Sequence, residues 1–219
     1  MLAPVYSCAV IGLEGVVIDI EVDYGQGGPH MAIVGLPDEA VKESRERVYS
    51  AIKNADLAYP RPPLTVNLAP ASVRKEGPFF DLPIAIGVLI TGEQVAPESI
   101  EGALIIGELS LDGSVRHVRG VLAVAAQARK DGYKRLFVPA CDAAEATLIP
   151  DIEVYPVNTL RELVDHLTGE ELIAPGAVME YAPDNERLVD TDFSEIKGQE
   201  HIKRALEVAT AGGHNVLTL

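Results

Sequence analysis

The sequence predicts an α+β domain with one mixed β-sheet and helices on one side, followed by a fragment of a second domain. Three observations predict this arrangement. Strand-like patterns with a period of two come first, and strand-like and helix-like patterns then alternate up to about residue 170. A segment with prolines and acidic residues follows them. A short amphipathic stretch then leads to the last residues of the chain.

The clearest predicted strand covers residues 16–23, where two sets of side chains alternate. One face carries Val16, Ile18, Ile20 and Val22, and the other carries Val17, Asp19, Glu21 and Asp23. This alternation is typical of a half-buried strand, and we interpret the acidic set as a solvated face of the sheet. Further strands are predicted at residues 4–13, 30–34, 64–68, 103–107, 108–111, 135–139, 153–157 and 216–219, with turns at residues 25–29 and 112–113.

Helices are predicted where apolar residues recur every three or four positions. The first starts at residues 36–38, where proline suits a first turn and acidic residues complement the helix dipole. The others cover residues 81–91, 118–131, 143–148 and 159–167, with Thr159 as an N-cap, and a segment that ends near Thr210. We therefore predict a first domain at residues 1–172, a linker at 173–193 and the start of a second domain at 194–219.

The composition excludes several classes of function. The net charge of −15, from 33 acidic and 18 basic residues, repels phosphate backbones, so weak or absent DNA binding is expected of this chain. No apolar stretch is long enough to span a membrane, and the amino terminus lacks a signal-peptide pattern. Cys8 and Cys141 have no metal-like spacing, which favours reduced thiols in a cytoplasmic protein.

Three segments carry a resemblance to a known family. They are residues 33–48 (IVGLPDEAVKESRERV), residues 66–85 (VNLAPASVRKEGPFFDLPIA), and residues 193–200 (FSEIKGQE) with 211–217 (AGGHNVL). The chain resembles the YifB/ComM family of magnesium-chelatase-like AAA+ proteins through all three. The resemblance implies a protein that binds ATP and Mg²⁺, assembles as a hexamer and processes DNA, for example by branch migration during natural transformation.

The resemblance also implies what this chain does not hold. A phosphate-binding loop of the form G-x-x-x-x-G-K-S/T is expected beyond residue 219, and the 219 residues contain none. We therefore expect no bound cofactor and no ATP hydrolysis by this chain alone. Ile196, Gly198 and Gln199 match the family segment beside the adenine, so they would form part of a nucleotide site.

The first 170 residues also resemble the proteolytic domain of Lon, whose fold is that of ribosomal protein S5 domain 2. The Lon segment that presents the catalytic serine matches residues 75–82 (KEGPFFDL), with Phe79 at the serine position. The segment with the catalytic lysine matches residues 107–139, with Val124 at the lysine position. Because the chemistry needs a hydroxyl nucleophile and a neutral lysine, the resemblance implies a domain without peptidase activity.

Four basic residues are candidates for contacts with DNA or with a neighbouring subunit: Arg45, Arg47, Arg74 and Lys75. The alternative, which we favour slightly for Arg74 and Lys75, is that they are solvated loop residues. For Arg45 and Arg47 the ordinary interpretation is that of helix-surface charges paired with Glu43 and Glu46, with an oligomer interface as the alternative. Ser72 and Lys75 could form a substitute catalytic dyad, but solvated side chains are the better interpretation. The five histidines show no ligand spacing, so no metal site is predicted.

Two further functions stay open from the sequence. One is the motor subunit of a magnesium chelatase, although the Lon-like domain here precedes the AAA+ segment, as in the YifB/ComM family. The other is an active Lon-like peptidase, which Phe79 and Val124 argue against.

Overall fold

The computed structural model describes residues 4–25, 31–178 and 192–217. These residues form two compact units, which divide between residues 180 and 181. The larger unit holds every strand of the described residues, and the smaller one holds a single helix and the loops beside it.

The larger unit is built on a seven-stranded mixed sheet in the order β3-β4-β2-β1-β5-β8-β9. Its strands are β1 (Val5–Ile11), β2 (Glu14–Tyr24), β3 (Met31–Val34), β4 (Leu64–Ala69), β5 (Ala103–Ile105), β8 (Arg135–Pro139) and β9 (Glu153–Val157). β2 runs antiparallel to both β1 and β4, and the other pairs are parallel. A small hairpin of β6 (Glu108–Leu109) and β7 (Val115–Arg116) stands apart from this sheet. The predicted mixed sheet of an α+β domain is therefore confirmed.

Among the described residues, five α-helices belong to the larger unit and one to the smaller. They are α1 (Glu39–Asn54), α2 (Asp81–Thr91), α3 (Val121–Lys130), α4 (Ala143–Ala146), α5 (Leu160–Thr168) and, in the smaller unit, α6 (Glu200–Gly212). Thr159 is the N-cap of α5 as predicted, because its hydroxyl accepts a hydrogen bond of 3.1 Å from the backbone N–H of Glu162.

The prediction that helices cover only one side of the sheet is wrong. α1, α2 and α5 form a first core on one face, with members such as Val48, Ile86, Leu163 and Phe137. α3 and α4 form a second core on the other face, with members such as Leu104, Val121, Val124, Leu136 and Ala146. The strand β8 shows why, since Leu136, Phe137 and Val138 are consecutive and all buried. Such a run is typical of a parallel strand covered on both faces.

The helix α2 is the centre of the first core, and all of its 11 residues are buried. Its Gly87 lies so close to the sheet that an added Cβ would stand 2.6 Å from Cγ2 of Val22. A larger residue at this position would push the helix away from β2, so glycine allows their close packing.

Several element ends differ from the predictions. α1 begins at Glu39 because the side chain of Asp38 caps it, accepting from the backbone N–H of Val41 at 2.8 Å. α3 begins at Val121, after Gly120 in a left-handed conformation. Val216 and Leu217 lie in no strand, so the described half of the strand predicted at residues 216–219 is wrong, and residues 218–219 lie outside the described part. Residues 26–30, with most of the predicted turn at 25–29, and most of the predicted linker lie outside the described part.

No helix in residues 4–25, 31–178 and 192–217 is long and apolar enough to cross a membrane.

His166 on α5 is a titratable group held in its neutral form. Its ring packs against Phe137 and Tyr155, with centroid distances of 5.4 and 5.1 Å. Nδ1 accepts a hydrogen bond of 3.0 Å from the backbone N–H of Ile173, which requires an unprotonated Nδ1. Burial, with a smaller contribution from the charge of Arg135, lowers the pKa of His166 below its ordinary 6.5.

We predict that the free energy of unfolding falls as the pH drops from about 7 to about 5. The unfolded chain takes up the proton near the ordinary pKa of 6.5, whereas the folded chain resists it to lower pH, so protonation favours unfolding. His166→Asn keeps a hydrogen-bond acceptor without the titration and should flatten this dependence. Urea unfolding at several pH values measures it. His201→Asn, on exposed α6, should behave as the parent, and parallel curves for the parent and His166→Asn would contradict the prediction.

Candidate functional site

The two positions that the sequence resemblance assigns to the Lon dyad, Phe79 and Val124, both contribute to the second core. Phe79 lies in a single 3-10 turn, Pro78–Phe80, and packs half-buried against this core. Val124, on α3, is 2% exposed and belongs to it. The backbone holds the turn in place, since the carbonyl of Phe79 accepts from the N–H of Gly107 at 3.0 Å. The two hydrocarbon side chains therefore lie in an apolar core and supply neither the hydroxyl nor the amine that a Lon-type dyad needs.

The conclusion that α3 lacks a catalytic lysine does not depend on the exact alignment of Val124 with the lysine of Lon. The ten-residue helix α3 has one lysine, Lys130, which is its exposed last residue. If the alignment with Lon is shifted by a few residues along α3, the position of the catalytic lysine therefore still holds no lysine. Ser72 is exposed and forms no hydrogen bond with Lys75, whose ammonium group donates to the carbonyl of Pro70 instead, so the structure does not assemble these two residues as a dyad.

Lys75 is fully buried, so both earlier interpretations of it, a solvated loop residue and a contact to DNA or a subunit, are wrong. Its exposed fraction is 0%, and its ammonium group donates to the carbonyl oxygen of Pro70 in the same loop. Its backbone is hydrogen-bonded to the segment before α1. The N–H of Lys75 donates to the carbonyl of Leu36 at 3.2 Å, and the N–H of Asp38 donates to the carbonyl of Lys75 at 3.0 Å. Burial lowers the pKa of Lys75 below its ordinary 10.5.

Arg47 is bound to a buried carboxylate and is not a simple surface charge. Its Nε and Nη2 donate to the two oxygens of Asp81 at 2.6 and 3.1 Å, and Nη2 also donates to the carbonyl of Ala40 at 2.8 Å. The Arg47 side chain is 20% exposed and that of Asp81 is 0% exposed. Asp81 also accepts from the backbone N–H of Leu109 at 3.2 Å. The pair thus joins α1, α2 and β6.

The charge state of this pair follows from its contacts. Burial acts to lower the pKa of Arg47, but the hydrogen bonds and the charge of Asp81 outweigh it and raise the pKa. Since a guanidinium stays charged under all ordinary conditions, Arg47 supplies the cation that Asp81 needs in the core. Sequence reasoning missed Asp81, because an acidic residue in a first helical turn resembles an ordinary complement to the helix dipole.

Arg45 and Arg74 are the two exposed members of the four candidate contact residues. Their side chains are 51% and 72% exposed. Each forms an ion pair of 3.3 Å with a nearby glutamate, Arg45 with Glu46 and Arg74 with Glu76. Pairs this exposed contribute little to stability, so both guanidinium groups can change partner at small cost.

Ile196, Gly198 and Gln199 lie in the loop before α6, in the smaller unit. The Ile196 side chain is 41% exposed, and its carbonyl accepts from the ammonium group of Lys203 at 2.6 Å. Gly198 and Gln199 have positive φ values of 75° and 56°, and Gln199 is the N-cap position of α6. Their assignment to a nucleotide site stays a prediction.

The structure also brings together three potential metal ligands that the sequence did not reveal. One ligand atom each from His117, Cys141 and Asp142 lies within 4.8 Å of the others. His117 and Asp142 are 25 residues apart, and no short motif contains both, so their spacing carried no signal. The spacing of the histidines therefore did not reveal this group, and the prediction of no metal site stays a prediction that a metal titration can test.

Two family profiles match the chain. The profile described as "Subunit ChlI of Mg-chelatase" matches residues 20–142, which include Phe79, Val124 and the whole of α3. The profile described as "Magnesium chelatase, subunit ChlI" matches residues 192–219, which include α6.

The chain is similar over its full length to curated bacterial proteins. It is 41% identical over 220 residues to competence protein ComM of Haemophilus influenzae, which covers 100% of this chain and 43% of that protein. It is 36% identical over 218 residues to the uncharacterized protein YifB of Escherichia coli, covering 100% of this chain and 42% of YifB. The chain thus spans less than half the length of these relatives.

A more distant relative supports the comparison with Lon. The chain is 27% identical over 169 residues to the Lon protease of Halothermothrix orenii. The match covers 71% of this chain and 21% of that protease.

Two arginines on the same helix should differ sharply in their effect on stability. Arg47→Ala leaves the carboxylate of Asp81 buried without its cation, so we expect a loss of about 3–5 kcal/mol in the free energy of unfolding. Arg45→Ala removes an exposed ion pair and should cost less than about 0.5 kcal/mol. Urea unfolding followed by circular dichroism measures both. Similar losses for the two variants would show that the Asp81 pair is not a major contribution.

Proposed function

This chain belongs to the family of the ChlI subunit of magnesium chelatase, in the branch of ComM and YifB, and we propose from this membership that it forms the non-catalytic amino-terminal part of an AAA+ ATPase that processes DNA. The full protein would act as an oligomeric motor, in a role such as branch migration during natural transformation. The match to competence protein ComM over the whole chain supports this role.

The observation that carries the non-catalytic assignment is the packing of Phe79 and Val124 in one core. A peptidase of the Lon type needs a hydroxyl and a neutral amine in contact at this place. Here two hydrocarbon side chains pack there, and the one lysine of the loop before Phe79, Lys75, is buried with its ammonium group on the carbonyl of Pro70. We further propose that the larger unit has the fold of the Lon proteolytic domain, as the 27% identity to a Lon protease suggests.

We propose a domain at residues 1–172, a linker at 173–193 and the start of an AAA+ module at 194–219. ATP and Mg²⁺ would bind in the full protein through a phosphate-binding loop, with Ile196, Gly198 and Gln199 on the adenine side. The assembly would be a hexamer in the cytoplasm. The profile match at residues 192–219 supports this division, because it begins after the larger unit ends.

DNA contact by this chain alone would be weak or absent. The net charge is −15, and of the four candidate contact residues only Arg45 and Arg74 are exposed. Each of these two has a glutamate beside it, which opposes the approach of a phosphate. We therefore propose that Arg45 and Arg74 contact a neighbouring subunit and not DNA.

A second candidate function is the motor of a magnesium chelatase, because both matching profiles are named for its ChlI subunit. ATP-dependent insertion of Mg²⁺ into protoporphyrin, reconstituted with partner subunits, would support it. The full-length similarity to ComM and YifB favours the role in DNA processing.

The function is tested by comparing this chain with a protein extended through the phosphate-binding loop. We expect the extended protein to form hexamers with ATP, to hydrolyse ATP and to move branched DNA. This chain should do none of these, and an extended variant with the loop lysine changed to alanine should lose hydrolysis. The proposal fails if the extended protein stays monomeric with ATP and ignores branched DNA.

The assignment as a non-peptidase has its own test. Neither this chain nor the extended protein should cleave casein, and Ser72→Ala should leave that result unchanged. Cleavage that disappears with Ser72→Ala, while Ser99→Ala retains it, would establish a peptidase with a nucleophile outside the Lon position.

A further inference from the structure

The side chains of His117, Cys141 and Asp142 meet on the side of the sheet that carries α3 and α4. His117 lies between β7 and α3, and the other two residues lie in the turn Ala140–Asp142 that follows β8. Asp142 is buried, with its side chain 5% exposed, whereas the side chain of His117 is 63% exposed and Cys141 is exposed. The buried carboxylate of Asp142 thus lies next to two solvent-accessible ligand groups, the imidazole of His117 and the thiol of Cys141.

The backbone fixes the orientation of this carboxylate. Oδ2 of Asp142 accepts from the N–H of Val118 at 2.9 Å, in a buried hydrogen bond. Oδ1 is then directed to the other two residues, at 2.5 Å from Nδ1 of His117 and 3.7 Å from Sγ of Cys141. Ligands held in this way by a second contact are typical of metal sites, because the carboxylate needs no reorganisation when the ion arrives.

The distances suit a small tetrahedral ion. With bonds of about 2.3 Å to sulfur and about 2.0 Å to oxygen or nitrogen, a tetrahedral centre keeps sulfur and oxygen about 3.5 Å apart and nitrogen and oxygen about 3.3 Å apart. The Sγ–Oδ1 distance is already 3.7 Å. The Nδ1–Oδ1 distance of 2.5 Å must open by less than an ångström, which a largely exposed histidine side chain can provide by rotation.

We propose that His117, Cys141 and Asp142 bind one divalent transition-metal ion of the Zn²⁺ type, with water in the fourth position. This site is separate from the proposed nucleotide site and does not depend on the proposed function. A thiolate, an imidazole and a carboxylate favour Zn²⁺ or Co²⁺ over Mg²⁺, which prefers oxygen ligands. In the bound state the thiol has released its proton to solvent and His117 is a neutral imidazole with its proton on Nε2, so the ion's two charges match those of the thiolate and the carboxylate.

Cobalt titration of the tag-free 219-residue chain tests the proposal. We expect one equivalent of Co²⁺ to produce a thiolate-to-cobalt charge-transfer band with the intense visible bands of a tetrahedral site, and one equivalent of Zn²⁺ to remove both. Cys141→Ser should abolish the charge-transfer band, and His117→Ala should weaken Co²⁺ affinity by at least about tenfold. His201→Ala, on exposed α6, is the matched control and should bind as the parent.

Alkylation gives a second, independent readout. Burial raises the pKa of Cys8 to about 12, so iodoacetamide should modify only the exposed Cys141 in the folded chain. Zn²⁺ should slow this modification in the parent and in His201→Ala, but much less in His117→Ala, and Mg²⁺ should have no effect. The proposal is overturned if the charge-transfer band is absent at one equivalent of Co²⁺, if it persists in Cys141→Ser, or if Zn²⁺ does not protect the thiol. Circular dichroism of each variant verifies that it is folded.

Discussion

The buried ion pair between Arg47 and Asp81 determines how the loop before α2 is placed. A carboxylate in the core requires a cation and further donors, because its desolvation is costly without them. Arg47 reaches it from α1, and the N–H of Leu109 reaches it from β6. These contacts fix the position of the start of α2, and they leave the backbone of the residues just before it little freedom to move.

The same loop is fixed at a second place by the segment that precedes α1. One oxygen of Asp38 caps the helix, and the other accepts from the N–H of Gly77 at 3.1 Å. Lys75 lies between these contacts, with its backbone bonded to Leu36 and Asp38. Phe79 is therefore presented to the second core by a loop that is held at both ends, so this apolar packing is part of the fold and not a loose surface feature.

Local patterns were enough to predict those elements whose side chains follow one periodicity. The alternation in β2 and the hydroxyl of Thr159 before α5 are examples, since each depends on neighbours within a few residues. The site required contacts between distant parts of the chain. Asp81 and Arg47 are 34 residues apart, and a sequence shows neither the burial of the acid nor the direction of the base. The second layer of helices was missed for a related reason, because a short apolar run such as that of β8 does not reveal how many of its faces are covered.

The order of the strands has a consequence for how the protein forms during synthesis. β1 and β2 are the first two strands of this sheet in chain order, and they lie next to each other inside it. β4 then adds beyond β2, and β3, which precedes β4 in the chain, pairs outside it; β5, β8 and β9 add in turn beyond β1. The sheet can therefore grow outward from an early hairpin, and every strand after β3 meets an edge that already exists. No strand has to be inserted between two that have already paired.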